Sequence, residues 1–136
     1  MEPLSEVRYL TIEQVIEINR TVLREIKVKK ADSHRVASRR KIEAIVATME
    51  SLEGDIHEKA ACLLIQLVTI SKGHAFDSGN RRTAYAAAKI FLHANGEASD
   101  TKFDPKVFTG IREGFYETWE VVPWLKGDGI REFKRP

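Results

Sequence analysis

The chain has 136 residues, a length that predicts one domain over residues 1–136, with a single apolar core and no need of covalent staples. Its 43% hydrophobic and 31% charged residues are ordinary for a globular protein, and a formal net charge of +2 is too small to argue for nucleic acid by itself. The single cysteine, Cys62, excludes a disulfide framework and a cysteine metal site. Glu2, Glu6 and Arg8 near the start interrupt any apolar run, so no export signal is expected. The longest apolar stretch, residues 60–70, contains Gln66 and is too short to span a bilayer. A cytoplasmic protein with no membrane partner is expected.

Thr11-Ile12-Glu13-Gln14 fits a capping box, and Ile12, Val15, Ile16, Asn19, Val22, Leu23 and Ile26 follow at helical spacing. Residues 27–33 form a basic connection of poor periodicity. A second helix is predicted over about residues 33–52, with Ile42, Ile45, Val46, Met49 and Leu52 on one face and Gly54 as its stop. Asp55-Ile56-His57-Glu58 is another capping box and opens a third helix to about residue 71. That helix is apolar on nearly every side and is expected at the centre of the fold. A loop follows, and from Thr83 the Ala-rich run to Asn95 predicts a fourth helix stopped by Gly96. Asp104-Pro105 is a cap with proline at the first helical position, opening a fifth helix to about Tyr116. A short sixth helix is expected over residues 121–126, starting from Pro123 and closed by Gly127-Asp128-Gly129. No alternating pattern exceeds about four residues, so the predicted class is all-α, a bundle of about six helices.

The chemistry concentrates in Gly73-His74-Ala75-Phe76-Asp77-Ser78-Gly79-Asn80-Arg81-Arg82. A small polar turn that opens a helix leaves backbone N–H groups unpaired at the positive end of the helix dipole, which is an anion site. Arg81 and Arg82 add two permanent cations where the dipole favours acids, a destabilising choice unless an anion binds. His74 at the lip is a candidate general base, since an imidazole near neutral pKa can take a proton from a hydroxyl.

At these residues the chain resembles the Fic/Doc family, whose signature is His-x-Phe-x-(Asp/Glu)-Gly-Asn-(Gly or Lys)-Arg. The helix TAYAAAKIFLHANG, the opening YLTIEQVIEINRTVL and the late WLKG are similar to the Doc (death-on-curing) toxin branch. The resemblance implies a transferase that uses ATP with Mg2+ to modify a protein hydroxyl. By position, His74 is the base, Gly79, Asn80, Arg81 and Arg82 bind phosphates, and Phe76 anchors the loop.

Two departures matter. Ser78 occupies the family's acidic, metal-holding position, and the nearest carboxylate is Asp77, so these two are the candidate Mg2+ ligands; a hydroxyl is the poorer one. Arg81 stands where AMP-transferring members have Gly and Doc members have Lys, so the resemblance favours γ-phosphoryl transfer over AMP transfer. Resemblance to Doc further implies a translation elongation factor as target. Self-inhibiting members carry Ser/Thr-x-x-x-Glu-Gly/Asn, and residues 49–54 lack the first hydroxyl, so a separate antitoxin chain is expected. Residues 27–32 correspond to the family's target-docking flap.

Other readings compete. The basic run at residues 35–41 (RVASRRK) fits a nucleic-acid-binding module, or equally a solvated helix face, which is the expectation here. A silent nucleotide-binding module is the remaining alternative. His34, His57 and His93 lack metal-like partners: His57-Glu58 is followed by Ala61 where a zincin helix has its second histidine. Cys62 is expected to be inert core, and Trp119 and Trp124 to be packing residues.

Overall fold

The computed structural model describes residues 6–26, 35–69 and 74–134. Six helices run through them: α1 (Ile12–Ile26), α2 (Arg39–Ser51), α3 (Ile56–Val68), α4 (Asn80–Ala94), α5 (Pro105–Arg112) and α6 (Thr118–Leu125). No strand occurs among the described residues, and one isolated antiparallel bridge joins Val36 to Phe76. The fold is an all-α bundle. Helix α3 lies at its centre and packs on α2, α4, α5 and α6, while α1 packs on α4 and α2.

The local signals explain most helix starts. The Thr11 amide donates to Gln14 Oε1 at 2.8 Å and the Gln14 amide to Thr11 Oγ1 at 3.1 Å, so the capping box of α1 forms. Asp55 and Glu58 form the corresponding box on α3, and Asp104 caps α5 ahead of Pro105. Ala60, Ala61, Leu63, Leu64, Leu67 and Val68 of α3 are all buried, in keeping with its nearly uniform apolarity. Lys59 is buried beside them. Its ammonium donates to the carbonyls of Met49 (2.9 Å) and Leu52, so the charge closes the C-terminal end of α2.

Four boundaries differ from the sequence expectation. Helix α2 begins at Arg39, after the Ser38 cap, because residues 35–38 are engaged elsewhere. The amides of Ala37 and Ser38 donate to Ala75 O at 2.9 and 3.1 Å, and that of Asp77 to Arg35 O at 3.0 Å. Helix α4 begins at Asn80, three residues early, for reasons given below. Helix α5 stops at Arg112 instead of reaching Tyr116. Gly114 adopts φ 76°, and the Phe115 amide bonds Gly110 O while the Gly114 amide bonds Ile111 O, a Schellman closure. Helix α6 starts at Thr118, where the Glu117 amide donates to Glu120 Oε1, and Pro123 lies inside it. The expected continuation of α3 to residue 71, the start of α2 at residues 33 and 34, and the flap at residues 27–32 lie outside the described residues, as does His34.

Trp124 is buried, edge-on to Phe108 with ring centroids 5.8 Å apart. Trp119 is not a packing residue: it is 73% exposed, on the outer face of α6. Cys62 is half-buried against the core, and burial raises its thiol pKa, which suits an inert thiol.

Candidate active site

The loop before α4 is held from three directions. Phe76 is fully buried and inserts its ring into the core. Asn80 clasps the loop from the helix side: its Oδ1 accepts from the Phe76 amide at 3.1 Å, and its Nδ2 donates to Phe76 O at 2.8 Å. From α1, the buried Asn19 donates through Nδ2 to Ser78 O at 2.9 Å and to Thr83 Oγ1 at 3.0 Å. These contacts draw the chain into the helix at Asn80. Gly79, the N-cap, has φ 77° and offers no side-chain cap. The first intrahelical bond runs from Thr83 N to Gly79 O at 2.8 Å. The amides of Asn80, Arg81 and Arg82 therefore precede the helical hydrogen-bond ladder and face outward at the dipole's positive end.

His74, Asp77, Ser78, Gly79, Asn80, Arg81 and Arg82 line one cavity of about 350 Å³, closed by Val68, Phe103 and Arg112. The imidazole and both cations singled out in the sequence are thus brought together. Arg81 donates to Thr109 Oγ1 of α5 at 3.3 Å. The Arg82 guanidinium lies 3.9 Å from the centroid of the Phe103 ring, a cation–π contact that fixes it at the cavity edge. A larger cavity, about 510 Å³, lies between α2 and α3, where its titratable lining groups are Arg40 and Lys41. Its lining, among the described residues, includes no carboxylate or imidazole, so the smaller cavity is the one suited to chemistry.

The electrostatics favour an anion and a neutral imidazole. Although His74 is exposed, loss of surrounding water lowers its pKa, and the charges of Lys41, Arg112 and Arg81 lower it further. The Arg81 guanidinium is also pushed down, by burial first and Arg112 second. Asp77 is the carboxylate of the cavity lining, and it stands 3.7 Å from Arg35 Nε.

Two of the sequence-derived assignments change character. The Asn80 side chain is committed to the Phe76 backbone, so its contribution to an anion is its amide. Gly79 is required by its left-handed conformation and by α1: a Cβ there would stand 3.0 Å from Leu23 Cδ2. Two residues escaped the sequence reading. Asn19 left a trace, a polar residue on the apolar face of α1. Arg112 left none, because a cation in the last turn of a helix is common.

The profile of the Fic/DOC family matches residues 9–92, well over half of the chain. This chain belongs to the Fic/DOC family. It is also similar to the protein named Toxin Doc of Mycolicibacterium smegmatis, with 49% identity over 47 residues. That match covers 35% of the present chain and spans about a third of the relative's length, 34%. The family segment contains α1 to α3 and most of α4, whereas α5, with Arg112, lies beyond it.

The basic run at residues 35–41 is largely spent within the Fic/DOC fold. Arg39 pairs with Glu13 at 2.6 Å and Glu43 at 3.5 Å, Arg35 faces Asp77, and Lys41 donates to Thr69 O at 2.6 Å. These contacts weaken the case for a nucleic-acid clamp. No group of three His, Cys, Asp or Glu side chains able to hold a metal ion occurs among the described residues. No described helix is long and apolar enough to cross a membrane.

Proposed function

We propose that the protein is a Doc-like toxin-type transferase that moves the γ-phosphoryl group of ATP to a hydroxyl of a protein target. The observation that carries this reading is the shared cavity, in which His74 lies beside an uncapped helix start and a cluster of guanidinium groups. Phosphoryl transfer needs positioning and charge neutralisation more than covalent help from the protein. The amides at the start of α4, with Arg81 and Arg82, would hold the phosphates. His74, whose neutral form is favoured by burial and by the charges of Lys41, Arg112 and Arg81, would accept the proton of the target hydroxyl. The oxygen so freed forms a bond to the γ-phosphorus as the bond to the β–γ bridging oxygen breaks, and ADP leaves.

The donor set suits Mg2+ of the kind that stays mostly on its nucleotide. Asp77 would supply one carboxylate and Ser78 a hydroxyl, and the remaining ligands would be phosphate oxygens and water. When bound, the ion would neutralise charge on the phosphates. Membership in the family and likeness to a Doc toxin support a cytoplasmic protein restrained by a separate antitoxin chain. The Doc resemblance favours a translation elongation factor as the target.

ATP labelled at the α- or the γ-phosphate, incubated with the protein and cell extract, tests the reading. Transfer of γ-label to protein, abolished by His74→Ala, is the expected result. Transfer of α-label means AMP transfer and overturns the phosphoryl assignment; no label from either position points to a silent nucleotide-binding module.

A further inference from the structure

Resting on the phosphate-site reading above, we infer that Arg112 of α5 is a third phosphate-binding arginine, beside Arg81 and Arg82, and makes the site selective for polyphosphates over a single phosphate. Helix α5 forms the wall facing the start of α4. Thr109 and Arg112 are three residues apart and so share one face of α5, and Thr109 Oγ1 accepts from Arg81 Nη1 at 3.3 Å. Arg112 is thereby set next to Arg81, and both line the cavity with His74.

A cation in the last turn of α5 has a structural explanation in the helix dipole, which favours positive charge there. The dipole does not explain its placement beside Arg81. Two guanidinium groups at close quarters repel each other and disfavour a proton on the imidazole: burial is the larger cause of the lowered pKa values of His74 and Arg81, and the charge of Arg112 adds to it in both. Among the described residues the compensation is small. Arg112 Nη2 meets the carboxylate of its sequence neighbour Glu113 at 3.4 Å, longer than a strong charge-assisted bond, and Arg81 reaches a neutral hydroxyl. The lining pits three arginines against one aspartate, and that aspartate stands near Arg35. Cations so gathered are matched by a ligand whose charges are as densely spaced, and a polyphosphate chain is such a ligand. One phosphate brings charge enough for the helix start; a chain of them brings charge for the guanidinium of α5 as well.

The test is calorimetric binding of inorganic phosphate, pyrophosphate and tripolyphosphate to the full chain, with ATP in parallel. Wild type should bind progressively tighter along the inorganic series. Arg112→Gln should weaken tripolyphosphate about tenfold to a hundredfold, the usual loss for a charge-assisted contact, while leaving phosphate nearly unchanged. Arg112→Lys should recover part of the loss, and unaltered thermal unfolding of both variants should show that the fold is intact. A readout that a purely structural role would not move is the His74 titration by NMR, which should rise in Arg112→Gln. If Arg112→Gln reproduces the wild-type series, the role of Arg112 is refuted and the phosphate site stands. If wild type binds no polyphosphate, the site reading itself falls and the inference with it.

Discussion

Replacing Gly79 with alanine tests whether the entrance to α4 depends on a residue without a side chain. At φ 77° an L-residue carries about 1–2 kcal/mol of backbone strain. The new Cβ would also stand 3.0 Å from Leu23 Cδ2 and 3.3 Å from Asn19 Nδ2. The leucine methyl ends a flexible side chain and can yield by a few tenths of an ångström. The asparagine amide is fixed by its bonds to Ser78 and Thr83 and resists displacement. Easing this crowding shifts α1 against the loop at about 1–2 kcal/mol, within the usual range for overpacking. The total is about 2–4 kcal/mol, or roughly 7–14 °C in Tm for a domain of this size. Urea denaturation of wild type and Gly79→Ala should therefore give well-separated midpoints at equal m-values. In a double-mutant cycle with Leu23→Ala, the contact portion should return as a favourable coupling of about 1 kcal/mol, with the backbone portion untouched. A loss below about 0.5 kcal/mol for Gly79→Ala, or a coupling near zero, would refute the reasoning.

Asn19→Leu withdraws the donor shared by Ser78 O and Thr83 Oγ1; it should cost about 1–3 kcal/mol by denaturation and weaken triphosphate binding by loosening the loop. Normal stability with weakened binding, or the reverse, would separate those two effects. Lys59→Met keeps the buried stem but leaves the Met49 and Leu52 carbonyls without their ammonium, and a loss of about 1–3 kcal/mol should appear in the same assay. The rate of phosphoryl labelling should rise with pH along an acid limb whose midpoint lies below 6.5, because burial and the charges of Lys41, Arg112 and Arg81 hold the His74 pKa under that value. High salt screens those charges and should move the acid limb upward. The sign for stability follows: as pH falls through about 6.5 the unfolded chain takes up a proton before the folded one does, so His74 then favours unfolding.

The helices and the grouping of the candidate site residues were legible in the sequence for local reasons. Capping boxes at Thr11 and Asp55, the cap and proline at Asp104-Pro105 and the apolarity of α3 are written in neighbouring residues, and the structure realises each of them. The boundaries that moved are those set by partners distant in sequence. Residues 35–38 bond the backbone of residues 75–77 and so cannot begin α2. Asn80 turns its side chain back on Phe76 and so begins α4 early. Trp119 departs from expectation: an aromatic residue in an apolar segment favours packing on average, yet α6 turns that position outward.

The same division between local and distant explains how the site is built. Twelve consecutive residues from Gly73 to Ala84 hold the imidazole, the uncapped helix start and two of the arginines. None of these by itself fixes where the groups point. Asn19 from α1 ties the loop carbonyl of Ser78 to the hydroxyl of Thr83, Phe76 roots the loop in the core, and Phe103 and Thr109 orient Arg82 and Arg81. Each of those partners is itself packed or bonded within a helix or its flank, so the cations are held in place before any ligand arrives. Holding like charges together in this way costs the resting protein stability, and the proposed polyphosphate ligand would relieve that cost. On the proposed function, affinity for the anion would be drawn from repulsion already present in the fold, and the residues that maintain that repulsion would be as much a part of the site as the histidine.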